Sequence, residues 1–240
     1  MIGMKKLFFF VFTGFIFVYQ GFAQFNEDPV LNIENFDKQP VHWGYFLGFN
    51  QYDFLFDYKS NNLGNATDIL VDKSLGFNVG LIGNLRINDY IDIRFEPGLY
   101  YTERILFFPD PTLVEERDYL REVKSTYVHF PLLLKLSTKR LGNFKPYVVG
   151  GVSTSLNLGS NEKSPDDNVN GTFRMKKNTY YYELGIGIDF YLYYFKFSPS
   201  IRGVFALSDE LQPDEDPNSP WTGNINNMYS RGVFINFTFE

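Results

Sequence analysis

Cysteine is absent from the 240-residue chain. That excludes disulfides, thiolate metal sites and the small disulfide-stapled domain. Histidine is scarce, with only His42 and His129, so an imidazole-rich metal centre lacks its ligands. Positive charge is short: 22 Lys plus Arg stand against 28 Asp plus Glu, a net charge of -6. This balance argues against a nucleic-acid partner. No phosphate loop or dinucleotide fingerprint occurs. After the first two dozen residues no apolar run is long enough for a membrane helix, so a membrane-spanning chain here has to be a β-barrel. Aromatic residues, by contrast, are plentiful, with 27 Phe and 17 Tyr. A barrel with an apolar outer band and two aromatic girdles uses them naturally.

The start, MIGMKKLFFFVFTGFIFVYQGFAQ, places Lys5 and Lys6 before an apolar run from Leu7 to Tyr19. Gly21-Phe22-Ala23 then forms a small-x-small cleavage site before Gln24. The pattern predicts a secretory signal peptide over residues 1–23. Without cysteine at the cut, a lipid-anchored lipoprotein is excluded. Residues 24–42, polar and broken by Pro29 and Pro40, read as a periplasmic N-terminal extension. Residues 43–240 read as the barrel.

Within 43–240, apolar and polar residues alternate with period two in about eight stretches. The longest pair lies in Thr179–Leu207. Tyr182, Leu184, Ile186 and Ile188 share one face against Glu183, Gly185, Gly187 and Asp189, and after a tight turn near Tyr191–Tyr194 Phe197, Ile201 and Phe205 continue the greasy face. Other strands begin at Trp43, Leu75, Ile91, Ser125, Phe144 and Tyr229. In the first of these the parity is lost near Gln51, because Tyr52, Phe54 and Phe56 fall on the opposite set, and a bulge is expected there. Asp57–Lys73 and Ile105–Glu122 read as loops, the second with room for a short helix. Gly159–Asn178 reads as a polar loop and the acidic stretch Ser208–Asn227 as a solvated one, with loose Ca²⁺ binding near Asp214 as the alternative. Connections alternate long and short, which predicts an all-β, eight-stranded, antiparallel up-and-down transmembrane barrel with its short turns on the periplasmic side. Phe239, one residue from the end, resembles the C-terminal signal of such barrels.

If lipid lies outside, the opposite face is the lumen. It carries Arg86, Asp92, Arg94, Glu96, Lys135, Lys145, Glu183, Asp189, Lys196 and Arg202. Eight strands enclose an interior just wide enough for side chains to fill. Both signs occur, so the expected role is a structural network of paired charges. The alternatives are a narrow ion path or pH-sensitive lumen, and a soluble barrel with its apolar face inside. Arg231 falls on the apolar parity near the outer end of the last strand, where it is expected to reach headgroups. A lipid hydrolase of serine and histidine needs a lipid-facing site, and His129 has lumen parity. The reading is therefore non-enzymatic, without cofactor or metal, in contact with outer-membrane lipid.

Four stretches carry a family likeness. NFDKQPVHWGYFLGFNQYDF, RFEPGLYY, HFPLLLK and KPYVVGG resemble the PorT family, with the first, Asn35–Phe54, the most discriminating. The resemblance covers the mature chain. It implies a role in the type IX secretion system, an outer-membrane export route tied in some bacteria to gliding motility, in company with other components of that system. It implies no catalytic residues. The alternative function is a generic small outer-membrane porin or adhesion barrel.

Overall fold

Eight-fold alternation closes on itself. The computed structural model describes residues 30–59, 68–109, 113–164, 167–168 and 172–240. The expected signal peptide lies outside the described residues. The strands are β1 (Val41–Tyr58), β2 (Leu70–Lys73), β3 (Gly76–Arg86), β4 (Ile91–Phe95), β5 (Gly98–Phe107), β6 (Leu120–Ser137), β7 (Phe144–Asn157), β8 (Asn178–Tyr191), β9 (Lys196–Ala206) and β10 (Ile225–Phe239). All pairings between them are antiparallel. β1 bonds to β10 on one edge and β3 on the other, which closes the ring.

Ten segments make eight staves. β4 and β5 keep one register against β6, with Phe95 opposite Leu132 and Gly98 opposite His129. They are one stave interrupted at Glu96-Pro97, because proline offers no N–H to the ladder. β2 and β3 also form one stave, with a one-residue slip at Ser74-Leu75 between the pairs Lys73–Arg104 and Phe77–Tyr101.

The outer wall is apolar. Leu47, Leu81, Leu132, Leu184, Ile201 and Val233 are all exposed. Two aromatic belts bound this band. Tyr45 stacks on Phe239 at 5.2 Å near the short turns; Phe77 stacks on Tyr101 at 5.6 Å and Tyr182 on Phe205 at 5.1 Å toward the long loops. Along β10, Tyr229 to Phe239 span about 25 Å at ~3.3 Å per residue and ~40° of tilt. That height matches the apolar band of outer-membrane barrels.

Three expectations are corrected by one cause. β1 runs through Gln51 without a bulge, and its register against β10 stays regular to Asp57. Tyr52 and Phe54 are buried and point into the barrel. Leu70–Lys73, expected in a loop, is a strand. Ile105–Glu122, expected as loop, instead extends β5 to Phe107 and begins β6 at Leu120, with α1 (Glu116–Tyr119) between them. At this end the staves rise beyond the apolar band. There Phe54, Leu106 and Val123 point inward while Asp53, Asp72, Glu122 and Lys124 stand on the outside, so the parity of hydrophobicity largely inverts although the chain does not.

Candidate functional site: the filled lumen

Inward residues meet across a narrow interior and pack in layers. The layer nearest the short turns is ionic. Lys196 pairs with Glu240 at 2.6 Å, Glu240 with Arg94 at 2.5 Å, and Arg94 with Glu96 at 3.3 Å. Arg202 lies 2.8 Å from Glu96 and 3.1 Å from Glu183, which meets His129 at 2.7 Å. Beside this chain Lys135 pairs with Asp189 at 2.6 Å, and the Ser198 hydroxyl donates to Asp189 at 2.7 Å. These side chains come from β4, β6, β8 and β9, with Glu96 before the Pro97 break and Glu240 just past β10. They are almost wholly buried. A buried charge is tolerable only when paired in this way.

Seven of the ten candidate lumen residues therefore meet in this layer: Arg94, Glu96, Lys135, Glu183, Asp189, Lys196 and Arg202. Three do not. Arg86 turns to Asp89 in the short connection after β3. Asp92 and Lys145 are buried in the lumen, but each lies beyond ion-pair distance of any described partner. His129 and Glu240 join the layer without having been counted. Both had a signal, since His129 has lumen parity and Glu240 continues the inward set Asn236, Thr238.

Above the ions lies an aromatic layer of Phe46, Tyr52, Tyr100, Tyr127, Tyr181 and Phe234, all fully buried. Tyr100 and Phe234 lie 4.9 Å apart, Tyr52 and Phe234 5.3 Å, and Tyr52 and Tyr127 5.5 Å. Phe46 fits because two glycines face it: a Cβ on Gly80 would come within 2.5 Å of its ring and one on Gly98 within 2.8 Å.

The third layer joins a strand to a loop. Arg104 donates to the Tyr127 hydroxyl at 2.8 Å and lies over the Phe54 ring at 3.8 Å. Glu210, from the loop between β9 and β10, accepts from the Ser230 hydroxyl at 2.9 Å and the Tyr181 hydroxyl at 3.3 Å. Burial pushes the Glu210 carboxyl above the usual carboxylate range. The expectation of a wholly solvated acidic loop fails here, and in two more places. Asp209 binds Lys176 at 2.6 Å, and Asp214 binds Arg174 at 3.1 Å. Nothing in the local pattern marks which acid of the run turns inward. A fourth, apolar layer caps the long-loop end with Phe54, Leu106, Phe108, Met175, Leu211 and Met228 among its buried members.

The opposite mouth is stoppered by residues ahead of β1. Phe36, in a 3-10 turn (Phe36–Lys38), stacks on His42 at 4.2 Å, and the Lys196 ammonium lies 4.7 Å from its ring centre. Asp37 accepts from the Tyr191 hydroxyl at 2.8 Å, Asn32 donates to the Tyr191 carbonyl at 3.0 Å, and Arg140 lies over the Tyr191 ring at 3.8 Å.

On the outer wall Arg231 has a partner on the neighbouring stave. Its Nη2 lies 2.8 Å from Asp53 on β1.

A closed ring of eight staves, two aromatic belts and a lumen packed with side chains define a small transmembrane β-barrel. The chain belongs to the outer membrane protein beta-barrel domain family, whose model matches residues 22–212. Similar solved structures include the outer membrane protein OprG from Pseudomonas aeruginosa, at 16% identity over 82% of this chain and 94% of that one, with a TM-score of 0.44. Neisserial surface protein A is 11% identical over 83% of this chain and 98% of that one, with a TM-score of 0.42. Ail of Yersinia pestis is 9% identical over 84% of this chain and 98% of that one, with a TM-score of 0.34. No curated protein matches.

Proposed function

We propose that this outer-membrane barrel is a non-enzymatic accessory component of type IX protein export, acting through contacts with larger machinery. The observation that carries the accessory role is the filled lumen: ionic, aromatic, mixed and apolar layers stand in series inside eight staves. Such an interior passes no polypeptide, so a protein-export role has to be exercised from the surface. The route itself rests on the resemblance of Asn35–Phe54 and the three shorter motifs to the PorT family. With short turns in the periplasm, the stopper residues and the segment before them form the periplasmic contact surface, and the long loops form the outer one. The non-enzymatic reading is supported by His129, which is buried inside the barrel against Glu183 and has no route to lipid.

Deletion of the gene is expected to leave type IX cargo in the periplasm; normal surface delivery of cargo in that strain overturns the proposal. The second reading is a generic small barrel whose outer loops do the work. It is favoured by a cavity of about 360 Å³ at the long-loop end, lined by Tyr58, Phe108, Trp221 and Ile225 among others.

A further inference from the structure

β1 and β3 are hydrogen-bonded from Val41–Leu85 to Asn50–Gly76. Beyond that point β1 continues to Tyr58, bonded on its other edge to β10, while β2 is bonded to β5. Among the described residues no backbone ladder joins β1 to β2. Side chains cross the gap instead. The Tyr58 hydroxyl accepts from the Ile69 N–H at 2.8 Å, and Lys73 pairs with Asp53 at 3.1 Å.

Asp53 points out of the barrel, and the same Oδ2 atom takes a second cation. Arg231 donates to it from Nε at 3.1 Å and from Nη2 at 2.8 Å. One carboxylate thus holds two cations, and the trio carries a formal charge of +1. The carboxylate is mostly covered, with its side chain 14% exposed, whereas the Lys73 and Arg231 side chains are 42% and 50% exposed. Among the described residues nothing else bonds to Arg231 Nη1 or to the two remaining N–H donors of Lys73.

The height of the trio identifies its surroundings. Arg231 is paired across the ladder with Phe205, a member of the long-loop aromatic belt, and the belt marks the level of lipid headgroups. Below it the wall is apolar through Phe49, Val233 and Ile235, a surface for acyl chains. With the long loops outside, these headgroups belong to the outer leaflet. A guanidinium fork beside a compact ammonium is the combination that suits a phosphate.

We propose that Lys73 and Arg231 bind a phosphate of an outer-leaflet lipid headgroup, with Asp53 holding the two cations together. The outward charges on β5 and β6 offer no such site. There Lys124 pairs with Glu122 at 2.8 Å, and Glu103 stands opposite it, so carboxylates outnumber cations.

The test uses the full mature chain in neutral detergent, titrated with diphosphoryl lipid A, with its dephosphorylated form and with inorganic phosphate, and read by native mass spectrometry. Wild type is expected to prefer the phosphorylated lipid over the dephosphorylated form at least tenfold. The double variant K73Q/R231Q loses that preference to within twofold, while K124Q keeps it. Heat-modifiable gel mobility confirms that each variant is folded, and all three positions are exposed, so folding is expected. Equal binding of the two lipids by wild type, retention of the preference in K73Q/R231Q, or its equal loss in K124Q overturns the proposal. Inorganic phosphate binding as tightly as the phosphorylated lipid overturns the lipid as the source.

Discussion

Glu240 turns its carboxylate into the barrel and meets Arg94 of β4 at 2.5 Å, across the lumen from its own stave. Its second oxygen serves Lys196 at 2.6 Å. One residue beyond the last strand thereby ties two other staves together. Removing one partner of a buried ion pair leaves the other charge uncompensated, which costs about 3–5 kcal/mol. Glu240→Gln is expected to destabilise the barrel by an amount in that range, read from urea midpoints in lipid vesicles. A change below 1 kcal/mol would show that the pair is not held as described.

The lumen is filled at successive levels, so purified protein in a planar bilayer is expected to show no steady ion conductance. Phe234→Ala, which removes the ring nearest Tyr100 and Tyr52, is expected to cost about 3–5 kcal/mol of stability as a buried aromatic truncation. Stable single-channel steps from the wild-type protein would contradict the packing and favour the generic porin reading.

Gly98 leaves the space that the Phe46 ring occupies. A Cβ there would lie 2.8 Å from the ring and 2.9 Å from the Val79 carbonyl oxygen. The backbone oxygen cannot move aside as a flexible side chain can. Gly98→Val is expected to reduce the heat-modifiable folded fraction, with overpacking worth about 1–3 kcal/mol. Pairing it with Phe46→Ala relieves the ring contact and is expected to recover part of the loss.

Glu210 has its carboxyl raised by burial. A carboxyl raised in the folded state contributes its full stability below the unfolded value, and that stability is lost as pH climbs through the ordinary carboxylate range toward the folded value. Glu210→Gln keeps an oxygen acceptor for Ser230 and removes the titration. The variant is expected to gain stability over wild type at pH 8 and to show no gain at pH 4, measured as the difference in urea midpoint. A gain of equal size at both pH values would refute the assignment.

Phe36 covers the short-turn mouth, and Lys196 beneath it is buried. Phe36→Ala is expected to raise modification of Lys196 by a membrane-impermeant amine reagent several-fold, scored by peptide mass. Unchanged modification would mean that other groups close this mouth.

The ionic layer also shows how far reading by parity reaches. Arg94, Glu96, Lys135, Glu183, Asp189, Lys196 and Arg202 alternate with lipid-facing residues in uninterrupted strands, so their facing is encoded locally. Arg104 lies on the same inward set as Thr102, at the edge of the stretch Ile105–Glu122 that reads as a loop. It was lost because the apolar pattern around it had already inverted. Asp92 and Lys145 have the same facing and stand opposite Lys135 and Asp189 in the ladder, yet those two charges pair with each other instead.

Sequence alone determined the class of molecule: period-two alternation, repeated eight times with connections of alternating length, fits a closed antiparallel barrel in lipid, because each stave has one greasy and one polar side. Closure of the ring decided the rest. Which inward charges pair, which rings stack, that Glu210 dips inside and that Asp53 gathers Lys73 and Arg231 all depend on distances between staves far apart in the chain. Those distances follow from register, tilt and curvature, and no local run of residues encodes them.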